Sequence, residues 1–358
     1  AYITSDVTPA PVVTTFQQYI GALSDNFNAG KKQFSLVVDA TDVFPGGQNS
    51  STPFDLVGLS KGGVDLWILD AAESINSSED VYFYNGKMYS YETFTATYEY
   101  DIEDNIRAQD PAGLDKEHLA MYNAINKVLN TIITPGMSDY DKELAIHDYL
   151  AANVAYDASG GAPDASHKAY GALVNRLAVC NGYCKAFKLL MDLEGVPCDV
   201  VYGTASDSGE NIGHAWNRVC LDGDWYNVDV TFDATGGRTG APFMIYDYFN
   251  VTDSLLGRDH TPYLVSDKKC SATEYDYFVR NGLIAQNTGD ARDLIEAAVQ
   301  AGRNFAAMRG VSQASPAFDI PAIVNGSSLN SYFSGRTYWY WVDPVMNTAY
   351  IYWGDGQN

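Results

Sequence analysis

At 358 residues the chain is too long for one ordinary hydrophobic core and calls for two or three domains. Hydrophobic residues make up 46% of it, which suits packed interiors and argues against intrinsic disorder. Its formal net charge of -23 repels phosphate backbones and anionic lipid surfaces, which argues against nucleic acid as a partner, and no apolar run reaches the length of a membrane span.

The opening residues, Ala1 to Asp6, carry neither a basic segment nor a hydrophobic one, and read as the start of a matured or trimmed product. Abundant Tyr, Asn, Gly and Ser with few Lys and Arg is the composition expected of an exported bacterial protein, extracellular or at the cell surface. Thr14 to Phe27 reads as a helix, followed by an alternating strand from Gln33 to Val43 and a further apolar stretch from Phe54 to Leu69. Val81 to Tyr89 is a hairpin around Asn85-Gly86, and Thr93 to Tyr100 continues its sheet. These elements form a β-rich domain over residues 1–110, whose aromatic side chains are expected to pack the sheet rather than bind a ligand. Pro111-Ala112-Gly113 marks its end. Leu119, Tyr122, Ile125, Leu129 and Ile132 then form one stripe of a helix that Pro135-Gly136 stops, and Ser138 caps the next helix, running to about Asn153. His147-Asp148 on that helix is expected to be a charged pair packed against the core.

The chemistry concentrates in the next eighty residues. After a turn at Asn175-Arg176, small and apolar residues recur at Tyr183, Ala186, Phe187, Leu190 and Leu193 until Gly195-Val196-Pro197, so Cys180 opens a helix. A thiolate there faces unpaired backbone N–H groups and the positive end of the helix dipole, and the same amides suit an oxyanion. Cys198 to Gly203 reads as a strand, Thr204 to Ile212 as a polar loop, His214 to Leu221 as a returning strand, and Trp225 to Phe232 as a third strand after the Asp222-Gly223-Asp224 turn. His214 and Asp229 then sit on adjacent antiparallel strands, with positions near 217 and 229 face to face. A thiol, an imidazole and a carboxylate in this order are the parts of acyl transfer through a thioester: Cys180 as nucleophile, His214 as base and acid, Asp229 as orienting partner. Tyr170, Asn181 and Trp216 are the candidates for completing an oxyanion or substrate site.

Five cysteines are too few for a disulfide framework in a chain this long. Cys184 is expected to pack as a small hydrophobe one turn after Cys180, and a bridge between Cys198 and Cys220 is possible but not expected. The spacings match no zinc site, and no cofactor is expected. Past Thr273 comes a small α+β module over residues 273–358: a helix from Asp290 to Ala306, then a hairpin of Thr337 to Val342 with Thr348 to Trp353. Trp339, Trp341 and Trp353 on that hairpin divide between core packing and a surface for sugars or peptides.

Three motifs carry a resemblance to a known family: Val179-Cys180-Asn181-Gly182-Tyr183 continuing to Ala186-Phe187, Gly213-His214-Ala215-Trp216-Asn217, and Trp225-Tyr226-Asn227-Val228-Asp229-Val230-Thr231. Together they resemble the transglutaminase-like superfamily of papain-type cysteine enzymes, in its bacterial extracytoplasmic branch. The resemblance runs over roughly residues 112 to 265 and implies an α+β core over 111–272, in which the nucleophile helix packs on an antiparallel sheet. It implies Cys180, His214 and Asp229 as catalytic residues acting on a protein or peptide substrate, by transamidation or deamidation. Two alternatives stay open: a papain-like peptidase on cell-wall or extracellular peptides, and an inactive adhesion protein that binds protein or glycan.

Overall fold

The computed structural model describes residues 12–29, 31–43, 72–84, 86–98, 101–207, 209–234, 243–263, 266, 268–311, 318–326 and 328–354. The expected apolar stretch from Phe54 to Leu69 and the opening residues Ala1 to Asp6 lie outside them. The chain is a mixed α+β protein that divides into two compact units, Ala1–Ala108 and Gln109–Asn358.

In the first unit, β1 (Val12–Val13), β2 (Gln33–Asp39), β3 (Ala72–Tyr84) and β4 (Lys87–Tyr98) form one sheet in the order β1-β2-β4-β3. Helix α1 (Phe16–Asn28) starts at Thr15, whose hydroxyl accepts the Gln18 N–H at 3.2 Å. Alternate residues Phe34, Leu36 and Val38 of β2 and Phe94, Ala96 and Tyr98 of β4 point to one face, where they pack with Tyr19, Leu23 and Phe27 of α1. The hairpin turns at Gly86, whose φ of 77° is the left-handed conformation that glycine accepts without steric cost.

The second unit opens with α2 (Lys116–Ile132) and α3 (Asp139–Asn153), the latter begun by a reciprocal capping box between Ser138 and Asp141. Helix α4 (Cys180–Leu193) follows, then β5 (Cys198–Asp207), β6 (Glu210–Leu221), β7 (Asp224–Val228) and β8 (His260–Pro262), all antiparallel in the order β8-β5-β6-β7. Two expectations are corrected here. The polar stretch Thr204 to Ile212 is not a loop: β5 runs to Asp207 and β6 resumes at Glu210, with Gly209 at φ 87° making the tight turn. The third strand stops at Val228 instead of running to Phe232, although the register, pairing Asn217 with Val228, is close to the one expected. Residues Val230–Asp233 coil into a helical turn that Asp229 caps.

Cys198 pairs with Val219, which leaves Cys220 on the opposite face of the sheet, and among the described residues the five cysteines form no disulfide. The last segment builds β9 (Ile284–Ala285), α5 (Thr288–Gln300), β10 (Phe305–Gly310), β11 (Tyr338–Asp343) and β12 (Thr348–Trp353) into a sheet ordered β9-β10-β12-β11. Trp353 is buried in its core, whereas Trp339 and Trp341 stand exposed on the edge strand. This sheet is bound to the preceding segment by buried polar contacts: Arg309 pairs with Asp276 and donates to the Asp247 carbonyl at 2.6 Å, and the Tyr350 hydroxyl donates to the Asp247 carboxylate at 2.6 Å. Among the described residues no helix is long and apolar enough to cross a membrane.

Candidate active site

Cys180 is the first residue of α4, and the chain enters it in extended conformation at Val179, whose own side chain makes no capping hydrogen bond. The approach is held by hydrogen bonds: the Val179 N–H donates to the Ser166 carbonyl at 2.9 Å, and the Ser166 hydroxyl donates to Asp157 at 2.7 Å. Gly182 allows this close contact. A Cβ there would lie 2.5 Å from the Ser166 carbonyl oxygen and 3.0 Å from that of Lys168, so any side chain would push the first turn of the helix away from its support. Tyr183, fully buried, donates its hydroxyl to the Val154 carbonyl at the end of α3.

The imidazole comes from β6. Residues 214 to 219 of that strand are buried on both faces, since α4 packs against β5 and β6 on one side while Trp216, Phe232, Tyr248, Val251 and Leu256 form a cluster on the other. Asn217 ties helix to sheet, its amide donating to the Cys184 carbonyl at 3.1 Å and to the Asp199 carbonyl at 3.2 Å. The distance from nucleophile helix to imidazole strand is thereby fixed. Gly203, opposite His214 on β5, has no room for a Cβ, which would meet the Thr261 carbonyl oxygen at 2.2 Å and Trp216 at 2.7 Å.

The carboxylate comes from the helical cap. Asp229 Oδ1 accepts the Phe232 N–H at 3.0 Å, and this turns Oδ2 toward the His214 ring, whose Nε2 lies 2.6 Å away. Cys180 is near enough to the same ring to act on it. Burial by itself would lower the His214 pKa, but the Asp229 carboxylate and then Cys180 outweigh it and push the ring up to about 10. Burial would likewise raise Asp229, yet His214 first and a second histidine, His260, hold it below the usual carboxylate range. The sequence-derived trio thus converges on one ring: thiol, imidazole and carboxylate lie together, as transfer of a thiol proton to nitrogen requires.

Asn181 is half-buried in the first turn of α4. Tyr170, also half-buried, leads into the wide helical turn Gly171–Asn175 just before the nucleophile segment. Trp216 is entirely buried behind His214, with ring centroids 6.4 Å apart, and its indole N–H points at Asn227 Oδ1 at 3.4 Å. Cys184 is buried, as its position one turn into the helix suggested. His147 is buried too, bonded at 3.0 Å to Asp148, which is partly exposed, and at 3.2 Å to the buried Asp233.

His260 escaped the sequence reading. It belongs to β8, which pairs with β5 and sets its Nε2 3.1 Å from Asp229 Oδ2. The ligand-type atoms of His214, Asp229 and His260 lie within 4.8 Å of one another, and hydrogen bonds from both rings to one carboxylate oxygen account for that grouping. A signal existed, since the chain has only five histidines and this one follows an aspartate inside the stretch that resembles the family, but nothing local indicates which strand it pairs with.

Residues 126–230 match the family model described as the transglutaminase-like superfamily, a stretch containing Cys180, His214 and Asp229. The chain is 24% identical over 173 residues to Kyphoscoliosis peptidase of Mus musculus, covering 44% of this chain and 26% of that protein. It is 25% identical over 155 residues to Kyphoscoliosis peptidase of Homo sapiens, covering 39% and 23%. The matched stretch thus spans about a quarter of these curated relatives. A solved structure described as a TGase aligns at 17% identity over 63% of this chain and 60% of that chain, with a TM-score of 0.28.

Proposed function

Residues 126–230 form a transglutaminase-like domain, and from that premise we propose that Cys180, His214 and Asp229 carry out acyl transfer through a thioester on protein or peptide amides. The observation that carries this reading is the His214 ring held between the Cys180 thiol and the Asp229 carboxylate, with Asp229 at 2.6 Å. The Cys180 proton rests on the His214 ring, which Asp229 holds as an imidazolium, and the sulfur attacks the amide carbonyl carbon. Backbone N–H groups in the first turn of α4, with Asn181 beside them, receive the developing oxyanion. His214 then returns the proton to the leaving amine or ammonia, and the carbon–nitrogen bond breaks to give a thioester. Water or a second amine, deprotonated by His214, attacks the thioester and releases Cys180. Asp229 supports the charged ring and keeps its Nε2–H directed at the carboxylate.

Hydrolysis of a peptide bond is the second reading, favoured because both curated relatives bear the name peptidase. The two readings diverge only at the last nucleophile and the bond chosen. An extracellular setting with a cell-wall or surface peptide as substrate fits the acidic, lysine-poor composition. Wild type and Cys180→Ala are compared on a library of glutamine-containing peptides, with and without a primary amine, by mass spectrometry. Wild type is expected to join the amine to glutamine or convert it to glutamate, and a shortened peptide identifies the peptidase instead. Products that are the same for both proteins, or absent for both, reject the enzymatic reading in favour of a binding role.

A further inference from the structure

Asp229 Oδ2 serves two rings, and the second one has no part in the chemistry just described. His260 Nε2 lies 3.1 Å from that oxygen, its Nδ1 lies 2.5 Å from Asp259 Oδ1, and Asp259 Oδ2 accepts the Tyr248 hydroxyl at 2.6 Å. A neutral imidazole has a single N–H, so a ring with a carboxylate at each nitrogen satisfies both only as an imidazolium. The side chain is fully buried, walled by Trp216, Phe232, Tyr248 and His214 at centroid distances of 5.2, 4.9, 5.4 and 5.4 Å. It cannot touch a substrate. The titratable groups facing it are Asp229, Asp259, His214 and Tyr248, with Asp247 and Asp343 acting on Tyr248 from behind.

We propose that His260 is a positioning residue for the Cys180–His214 pair: a buried fixed cation that clamps Asp229 and shares its negative charge, so that Asp229 orients His214 without locking the proton onto it. This rests on the function proposed above. The physical argument is competition. With one carboxylate oxygen between two rings, each proton on His214 is held against the repulsion of His260 as well as by the attraction of Asp229. Removing the His260 charge leaves both Asp229 and Asp259 uncompensated, and His214 then holds its proton more tightly and gives it to the leaving group more slowly.

The test uses the full chain with His260→Leu, His260→Gln and Asp259→Asn beside wild type and His214→Ala. Alkylation of Cys180 by iodoacetamide is followed against pH, together with amide turnover. Wild type is expected to show an inflection that His214→Ala abolishes. In His260→Leu that inflection moves to higher pH by about one unit, and kcat falls roughly tenfold or more with KM unmoved. His260→Gln keeps an N–H toward Asp229 without charge, so it recovers part of kcat while its inflection stays raised. Asp259→Asn leaves a neutral His260 and shifts the inflection the same way. An inflection in His260→Gln and Asp259→Asn that coincides with wild type overturns the proposal, and these two decide if His260→Leu does not fold. A wild type without a His214-dependent inflection overturns it as well. A wild type that shows the inflection but turns over no amide refutes the proposed function alone, and the proposal is then decided by alkylation.

Discussion

Asp229 has three hydrogen bonds to make and two oxygens to make them with: Phe232 N–H on Oδ1, His214 and His260 on Oδ2. Replacing it with asparagine separates these tasks. The amide oxygen of Asp229→Asn can keep the helical cap or an imidazole N–H but not both, and the charge that holds the His214 proton is gone. Turnover is expected to fall by about 10³ to 10⁴-fold, with the far-UV circular dichroism unchanged. The His214-dependent inflection in Cys180 alkylation should move to lower pH, because the largest influence opposing desolvation of that ring is removed. An unshifted inflection would mean that Asp229 is a structural cap and no more.

At the level of elements, the site is built by a helix start, a strand and a helical cap, and they were not equally legible. Cys180 and α4 were readable because the helix has its own periodicity and stop signal, and His214 because a buried strand follows it. Asp229 was misplaced because Val228-Asp229-Val230 alternates like a strand, whereas an aspartate that captures the N–H three residues on starts a helix instead. His260 was invisible for a different reason: it arrives from 31 residues farther along through the pairing of β8 with β5, a non-local contact that no local pattern encodes. Asn217 stands in the second motif with no task that the sequence reveals, and the structure shows its amide bridging Cys184 on α4 and Asp199 on β5. Asn217→Leu removes that donor from both carbonyls, at about 0.5–1.5 kcal/mol for each hydrogen bond lost. The variant is expected to melt lower and to alkylate Cys180 more slowly even where it remains folded, because the helix is freed from the strand that carries His214. A lower melting point with unchanged alkylation would assign Asn217 to stability alone.

For the whole molecule, buried ionisable groups and net charge act in the same direction. Burial outweighs the Asn250 hydrogen bond and the neighbouring His147 to push Glu143 up to about 8, and it likewise raises Asp247 to about 7. His147 rises to about 9 and His214 to about 10, because their carboxylate partners outweigh burial. In each case the folded protein keeps a proton that the unfolded chain has already released, so stability is greatest below the unfolded pKa and is lost as pH rises through the folded one. Asp229 has the opposite sign: its folded value is depressed, so its contribution is present above about pH 4 and lost on acidification. The melting temperature should therefore peak in mildly acidic solution and fall toward pH 10, aided by self-repulsion from a net charge of -23. Salt separates the two causes, since it screens surface repulsion and leaves buried groups largely unaffected. Glu143 makes the buried contribution measurable by itself. Its Oε2 accepts the Asn250 amide at 2.8 Å while its Oε1 has no partner among the described residues, so Glu143→Gln reproduces the neutral acid in shape and polarity. Calorimetry should find the two proteins alike at pH 5 and the variant more stable at pH 9, at roughly 2–4 °C for each kcal/mol of ionisation cost removed. Equal losses at both pH values would show that the fold holds Glu143 as a carboxylate, with Asn250 and His147 outweighing burial.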